Sequence, residues 1–193
     1  MNKNTIDNDD LEIDDVIKNL SEKKKKINSG RKGKSGEREI VKILNSRFDA
    51  YLKNQPNSGS FSRSVGSGNR WSQTTNMPKH AQDTFTGDLV CPENFKFVLE
   101  CKTGYNDVDL ISCFSNKCAE LDAFLKQVTD DSNRSKRLPM LIWKKNRKEL
   151  VCFIKQSDVD LNKLINQNRL FYKNWVCCSF EFLLSFENEF FFN

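Results

Sequence analysis

Long apolar runs are absent from this 193-residue chain, and histidine is almost absent. No stretch approaches the roughly 18 consecutive apolar residues of a membrane-spanning helix, and Met1-Asn2-Lys3-Asn4 leads into acidic residues rather than into the apolar segment of a secretory signal. His80 is the only histidine and no Cys-x-x-Cys occurs, so a zinc site would need ligands from distant points of the chain. These absences exclude a spanning helix and predict a soluble cytoplasmic protein, without a membrane partner, whose cysteines are reduced and buried.

Acidic side chains are missing from residues 50–82, and the charge of the whole chain is unevenly distributed. The net charge is +5, with −4 in residues 1–20 and +6 in residues 21–34. A positive balance suits a polyanionic partner such as nucleic acid. We expect residues 1–33 to form a charged, flexible extension, either a DNA-binding arm or a solvated tail. Residues 34–193 have the length of one domain, which ends in an aromatic-rich extension.

Hydrophobic spacing predicts an α/β fold in which helices alternate with short strands. Apolar residues at helical spacing mark the helices, and short extended runs bounded by turn residues mark the strands. Assembled, they form a central mixed β-sheet flanked by helices. The predicted elements are a helix over 37–48, a hairpin of 86–91 and 96–102 around Pro92-Glu93-Asn94, a helix over 115–129, strands over 139–143 and 150–154, and a helix capped by Ser157.

Two carboxylates and a lysine are spaced so that the predicted hairpin would bring them together. Glu100 and Lys102 share one face of a strand, and Asp88 on the neighbouring strand would lie against them. Two hard oxygen ligands suit Mg2+, which retains waters and accepts phosphate oxygens. The lysine would orient the attacking water while the metal stabilises charge on the phosphate. The alternative is a surface ion pair between Glu100 and Lys102, although the apolar residues before them indicate a buried strand.

The order of these motifs resembles the PD-(D/E)XK nuclease superfamily. Gly87-Asp88 followed by Glu100-Cys101-Lys102 is similar to its signature, with Gly87 where a proline often stands. The segments 34–39, 63–68 and 138–143 extend the resemblance to archaeal-type Holliday junction resolvases and related phage enzymes over residues 34 to 155. The resemblance departs from the family through an insertion between residues 68 and 87 and through extensions at both ends.

The resemblance implies a metal-dependent endonuclease with a restriction-endonuclease-like core. It places Mg2+, for which Mn2+ could substitute, on Asp88, Glu100 and the backbone carbonyl of Cys101. A glutamate of the first helix joins this site in the family. Glu37 matches by position and lies on the apolar stripe of its helix, whereas the competing Glu39 is offset by roughly 200°.

The resemblance also implies DNA as substrate, and two basic segments are candidates to bind it. The expected substrate is branched DNA, a Holliday junction that a homodimer cuts. Replication or recombination proteins are expected as further partners, and the resemblance to phage enzymes allows the protein to be encoded by a virus. The alternatives are a restriction, repair or nicking nuclease on linear DNA, and a catalytically idle nuclease-fold module. Trp71 either stacks on a base or anchors its loop. For the second segment, residues 144–148, the alternative is solvated charge without a DNA contact. The candidate DNA contacts are Arg63, Ser67, Gly68, Arg70, Lys144, Lys145, Arg147 and Lys148.

Overall fold

A five-stranded mixed β-sheet forms the centre of the protein. The computed structural model describes residues 29–55, 59–64, 86–108, 112 and 115–193. Within these ranges, no helix combines the length and the apolar character that crossing a bilayer requires. The elements in chain order are helix α1 (Ser29–Lys53), strands β1 (Ser62–Arg63), β2 (Leu89–Val90) and β3 (Phe97–Thr103), helix α2 (Ala119–Ser135), strands β4 (Leu138–Lys144), β5 (Leu150–Lys155), β6 (Leu170–Tyr172) and β7 (Trp175–Ser179), and helices α3 (Phe180–Leu184) and α4 (Asn188–Phe191).

The central sheet has the strand order β3-β4-β5-β7-β6, so β3 lies at one edge and β6 at the other. Strands β3 and β4 are parallel, and the other pairs are antiparallel. A parallel pair needs a long crossover, and α2 supplies it. Helix α2 packs on one face of the sheet, while α1 and the carboxy-terminal helices pack on the other. The predicted α/β fold with a central mixed sheet flanked by helices is confirmed.

The aromatic-rich carboxy-terminal segment belongs to the hydrophobic core. The rings of Phe191 and Phe192 each lie 5.0 Å from the ring of Phe48 on α1. Arg47 fixes the same helix to this segment, because its guanidinium donates to the carbonyls of Leu184 at 2.7 Å and Phe186 at 2.9 Å. The core is therefore closed by the end of the chain, and α1 is held rigidly against the sheet.

Helix α1 begins earlier than the spacing of apolar residues predicts. It starts at Ser29, whereas the helix was predicted over residues 37–48, after a flexible extension of residues 1–33. Its first turns are basic and contain glycine, a composition that favours a loop. Packing of Gly36 against Thr103 of β3 outweighs this propensity, since a Cβ at Gly36 would lie only 1.9 Å from the Thr103 hydroxyl oxygen. The residues numbered 30–34 are consequently part of the helix.

Helix α2 and the segment after β5 also differ from the prediction. Helix α2 was expected to end before residue 130, but it continues to Ser135 and ends at Lys136, which takes a left-handed conformation with φ of 60°. The helix expected after Ser157 was wrong, because two short 3-10 turns take its place. Asp160 rather than Ser157 caps the second turn by accepting from the backbone N–H of Asn162 at 3.0 Å. The polar residues after 129 therefore belong to helix α2, whereas the segment after β5 forms 3-10 turns instead of a helix.

The cysteines of the described part of the chain are buried and form no disulfide with one another, in agreement with the expected reduced state. Cys113 lies outside the described residues. In this arrangement, the carboxyl end of β3, which contains the candidate site residues, lies beside the first turns of α1.

Candidate active site

Strand β3 carries the centre of the candidate site and places its residues on both faces of the sheet edge. Val98 packs with the α2 side of the core, and Leu99 and Cys101 pack with the α1 side. Because side chains alternate along a strand, Glu100 and Lys102 lie on the α2 side. Glu100 is only 1% exposed, and burial of a charged group at this level requires partners.

The predicted hairpin ladder between the strands around residues 86–91 and 96–102 was wrong. Strand β2 pairs with β1 in a separate two-stranded antiparallel sheet, with Arg63 opposite Leu89. No ladder joins β2 to β3 among the described strands. The contact with β3 is made instead by the residue before β2, which is Asp88.

Asp88 is fixed to the outer edge of β3 by both its backbone and its side chain. Its N–H donates to the carbonyl of Leu99 at 2.9 Å, and its Oδ2 accepts from the N–H of Cys101 at 2.8 Å. Gly87 permits this close approach, since its φ is +84° and a Cβ there would lie 2.8 Å from the Leu99 carbonyl oxygen. Asp88 therefore lies beside Glu100, as the sequence predicts, but through an edge contact rather than a ladder.

The carboxyl groups of Asp88 and Glu100 share one buried environment, in which ionisation is costly. Burial, followed by the charge of Asp88, raises the pKa of Glu100 to about 8, although Lys102 acts in the opposite direction. Burial also raises the pKa of Asp88, against the hydrogen bond from Cys101 and the charge of Lys102. Such neighbouring buried carboxyls are typical of functional sites, where a bound cation can replace the proton.

The residues present fit a divalent cation held by few protein ligands. Oε2 of Glu100 is buried and accepts no hydrogen bond from another group in the described part of the chain, so its neighbour is the Asp88 carboxyl, with which it can bond only through a shared proton. The N–H of Cys101 points toward Asp88, and the carbonyl of a strand residue points to the same edge as its N–H, so the Cys101 carbonyl faces the site as well. Burial raises the pKa of the Cys101 thiol well above its usual value, which leaves the carbonyl as the candidate ligand.

Clusters of three or more His, Cys, Asp or Glu that could hold a metal ion do not occur in the described ranges. Two carboxylates and one carbonyl agree with this finding, since Mg2+ is commonly bound through one or two carboxylates and completes its shell with waters and phosphate oxygens. The donors are all oxygen atoms, which are the donors that this class of hard cation prefers.

Lys102 is held by a carboxylate, an amide and an aromatic ring. Its Nζ lies 2.5 Å from Oε1 of Glu100 and donates to Oε1 of Gln127 on α2 at 2.9 Å. The same Nζ lies 5.3 Å from the centroid of Phe124. Burial is the largest single effect and lowers the pKa of Lys102, but the charge and hydrogen bond of Glu100 together with the charges of Asp88 and Tyr105 outweigh it. The net pKa is raised, so the ammonium stays charged. Gln127 was not predicted, and its position on the sheet-facing side of a predicted helix was the only signal for it.

Glu37 is the glutamate of α1 that the structure turns inward. It is 7% exposed, and its Oε2 accepts from Nε of Arg63 at 2.5 Å. Its charge contributes to the raised pKa of Asp88, as expected for a neighbour of the site. Glu39 points elsewhere and forms an ion pair with Lys144. The placement agrees with the choice of Glu37, while its role in catalysis stays a prediction.

The candidate DNA contacts lie in different surroundings. The hairpin between β4 and β5 adjoins the site, because Trp143 is in register with Lys102. Lys145 donates to the carbonyl of Val108 and lies 5.5 Å from the ring of Trp143. Arg147 and Lys148 are exposed at the tip. Arg63 and Lys144 are engaged by Glu37 and Glu39, and Ser67, Gly68, Arg70 and Trp71 lie outside the described residues.

Comparison with known proteins identifies the family. A model of the family described as "Phage putative PDDEXK endonuclease" matches residues 28–189, which is most of the chain. No curated protein and no solved structure shows a significant match. The matched range contains α1, all seven strands and the candidate site. The chain therefore belongs to this phage endonuclease family of the PD-(D/E)XK superfamily.

Proposed function

We propose that the protein is a Mg2+-dependent DNA endonuclease that hydrolyses phosphodiester bonds in branched DNA. The observation that carries the proposal is the buried group of Asp88, Glu100 and Lys102, in which two carboxyls lie together and Oε2 of Glu100 accepts no hydrogen bond from a donor group among the described residues. A purely structural ion pair would use its buried oxygens. A buried carboxylate oxygen that accepts no hydrogen bond supports a metal site. Membership in an endonuclease family supports nucleic acid as the substrate.

Asp88, Glu100 and the Cys101 carbonyl would hold the cation, which when bound supplies Lewis-acid stabilisation of charge on the phosphate. The remaining tasks belong to the chain. Hydrolysis forms a bond from the water oxygen to phosphorus and breaks the bond from phosphorus to the leaving oxygen. The proton of the attacking water passes to solvent, and the leaving oxygen takes up a proton from solvent. Lys102 is protonated, so it acts as a hydrogen-bond donor that orients the water or the phosphate rather than as a general base. Glu100 and Gln127 restrict the ammonium to one position.

The oxygen-only donor set is the support for Mg2+, and it allows Mn2+ to substitute. The expected metal dependence is activity in either ion and none in a chelator. Ca2+, which is larger and less demanding in geometry, should support DNA binding without cleavage.

Branched DNA and a homodimer form the finer part of the proposal. Two symmetric cuts at a four-way junction need two copies of the site, and closed two-fold dimers are the commonest oligomers. The carboxy-terminal aromatic residues are part of the core, so the dimer would use another surface. Analytical ultracentrifugation of the protein, alone and on a four-way junction, should give a dimer in the complex. A monomer in both states would favour a nicking enzyme.

The test is a cleavage assay on labelled four-way junction, flap, single-stranded and duplex DNA with Mg2+, Mn2+, Ca2+ or a chelator. We expect paired incisions in the four-way junction, with Asp88→Asn, Glu100→Gln and Lys102→Ala each slowing cleavage at least about 100-fold. Their affinity for DNA in Ca2+ should stay close to wild type, because other cations contact the phosphates.

Asp130→Asn is the matched control, because Asp130 is a carboxylate of α2 that pairs with Lys126 on the surface. It should cleave at the wild-type rate. Retained turnover in any of the three site variants would contradict the site assignment. Cleavage of linear duplex alone would show that the substrate is linear and not branched DNA. Binding without cleavage in every metal would indicate an inactive nuclease-fold module.

A further inference from the structure

Tyr105 presents an aromatic ring to solvent beside the candidate site. It lies three residues after Lys102, and its side chain is 50% exposed. Among the described residues, the large hydrophobic side chains of comparable exposure are Ile165 and Phe171. Tyr105 also has a positive φ of 52°, directly after Gly104 with φ of 97°. A bulky residue rarely adopts this conformation, and such backbone conformations concentrate at functional sites.

The exposed ring is one aromatic contact away from the candidate lysine. The centroid of Tyr105 lies 4.8 Å from that of Phe124, at an interplanar angle of 67°. Nζ of Lys102 lies 5.3 Å from the centroid of the same Phe124 ring. A group resting on Tyr105 would therefore be a near neighbour of a phosphate bound at Lys102.

The loop that carries Tyr105 is tied to the basic hairpin tip. Its backbone and side chains bond to the β4–β5 hairpin at four points, so the loop is fixed before any ligand binds, and the ring of Tyr105 packs against Phe124. Arg147 and Lys148, the exposed cations of that tip, follow in the same hairpin. The four bonds are Gly104 N–H to the Lys144 carbonyl at 2.8 Å, Trp143 Nε1 to the Gly104 carbonyl at 3.2 Å, Asn146 N–H to Asn106 Oδ1 at 2.8 Å, and Lys145 Nζ to the Val108 carbonyl.

We propose that Tyr105 stacks on an unpaired nucleobase next to the phosphate that is cut. The inference rests on the proposed nuclease function and adds the class of DNA that the site takes. In a duplex each base face is covered by its neighbours, so only a base that has left the stack offers a face to a side chain. A preformed aromatic surface joined to exposed cations is the combination that binds single strands. The substrate therefore contains single-stranded or opened DNA at the cleavage point.

The test measures binding of the full-length protein in Ca2+, with fluorescent oligonucleotides as a single strand and as the matching duplex. Tyr105→Ala should weaken binding of the single strand by about tenfold and that of the duplex by less than about twofold. Tyr105→Phe should bind as wild type, because the ring is kept. Tyr105→Asn should lose binding like alanine, although asparagine tolerates the left-handed conformation, so its loss reports the ring and not the backbone.

Phe171→Ala is the matched control. Phe171 is 45% exposed and has the Arg169 guanidinium 5.7 Å from its ring centroid, but it lies on β6 at the opposite edge of the sheet. Its substitution should change neither affinity. Equal weakening of both DNAs by Tyr105→Ala, or no weakening, would overturn the stacking role while leaving the nuclease proposal intact. Failure of the wild-type protein to bind any DNA would instead refute the proposed function, and this inference with it.

A cross-linking experiment gives an independent readout. A single strand carrying 5-iodouracil at successive positions is irradiated on the Glu100→Gln variant, and the attached residue is mapped by mass spectrometry. Attachment at Tyr105 is expected from one or two neighbouring positions. Attachment confined to other residues would overturn the assignment.

Discussion

Nε of Arg63, on β1, donates to Oε2 of Glu37, on α1, at 2.5 Å. The pair joins the first helix to the strand that adjoins β2, and Asp88 directly precedes β2. Glu37 therefore has two roles available, as a carboxylate near Asp88 of the candidate metal site and as the anchor of Arg63. Glu39, two residues away, has neither.

Glu37→Gln should lower the cleavage rate by about tenfold or more, whereas Glu39→Gln should leave it within about twofold. Only Glu37 adds charge next to Asp88. Single-turnover cleavage on one DNA substrate would rank the two variants, with thermal unfolding as the check that both are folded. A larger loss for Glu39→Gln would mean that α1 presents its other face to the DNA.

Gln127→Ala should lower kcat by about tenfold with little change in KM, since the amide positions Lys102 and need not touch the substrate. Gln127 is thus predicted to act as a positioning residue. Lys126→Ala is the control, because Lys126 is the preceding residue and pairs with Asp130 on the surface. A rise in KM with kcat unchanged would assign Gln127 to DNA binding, and rescue by Gln127→Asn would show that the exact length of the side chain is unimportant.

Glu100→Gln should stabilise the metal-free protein at alkaline pH. The pKa of Glu100 is raised from 4.5 to about 8 in the fold, so its contribution to stability is complete below the unfolded pKa and is lost as pH rises through about 8. Glutamine stays neutral and avoids that loss. In a chelator, the melting temperature of the variant minus that of wild type should be more positive at pH 9 than at pH 5, by about 3 °C or more.

Added Mg2+ supplies the control for this measurement. It should raise the melting temperature of wild type at pH 9 and leave that of Glu100→Gln nearly unchanged, because binding to the native state stabilises it. A difference between the two proteins that does not vary with pH would contradict the raised pKa of Glu100.

Replacement of Arg147 and Lys148 by alanine should weaken DNA binding and reduce the slope of log affinity against log salt by about two. Both side chains are exposed at the hairpin tip beside the site. Cleavage at saturating DNA should remain near wild type. Lys53→Ala is the control, because Lys53 lies at the far end of α1 from Glu37. An unchanged salt slope would reduce the tip to solvated charge.

The common face of Glu100 and Lys102 could be predicted from the sequence because alternate residues of a strand share a face in any sheet. Asp88 was placed beside them through a hairpin ladder that the described strands do not form. Glu37 could be placed because an inward carboxylate on an apolar helical stripe requires a partner. Their catalytic roles stay predictions. The fold class followed from the same local patterns, which need no knowledge of strand order.

Gln127 and Tyr105 could not be predicted, because both depend on distant packing. The contact between Gln127 and Lys102 depends on the register of α2 against β3, which is set by interdigitating core side chains. The exposure of Tyr105 depends on the bonds of its loop to the β4–β5 hairpin. The hairpin of β2 and β3 was predicted wrongly for a related reason, since β1 competes for β2 and its two residues, Ser62 and Arg63, carry no strand signal of their own.

Because Gly36 packs directly against Thr103, a glycine at position 36 is as necessary for activity as the charged residues of the candidate site. Any side chain at Gly36 would push α1 away from the end of β3, and the neighbouring Glu37 would move with it. A saturation mutagenesis screen scored by activity should therefore show that position 36 accepts no larger side chain, in addition to showing losses at the charged positions of the candidate site. Gly36→Ala would resemble a catalytic mutant in that screen, although position 36 contributes no chemical group to the reaction.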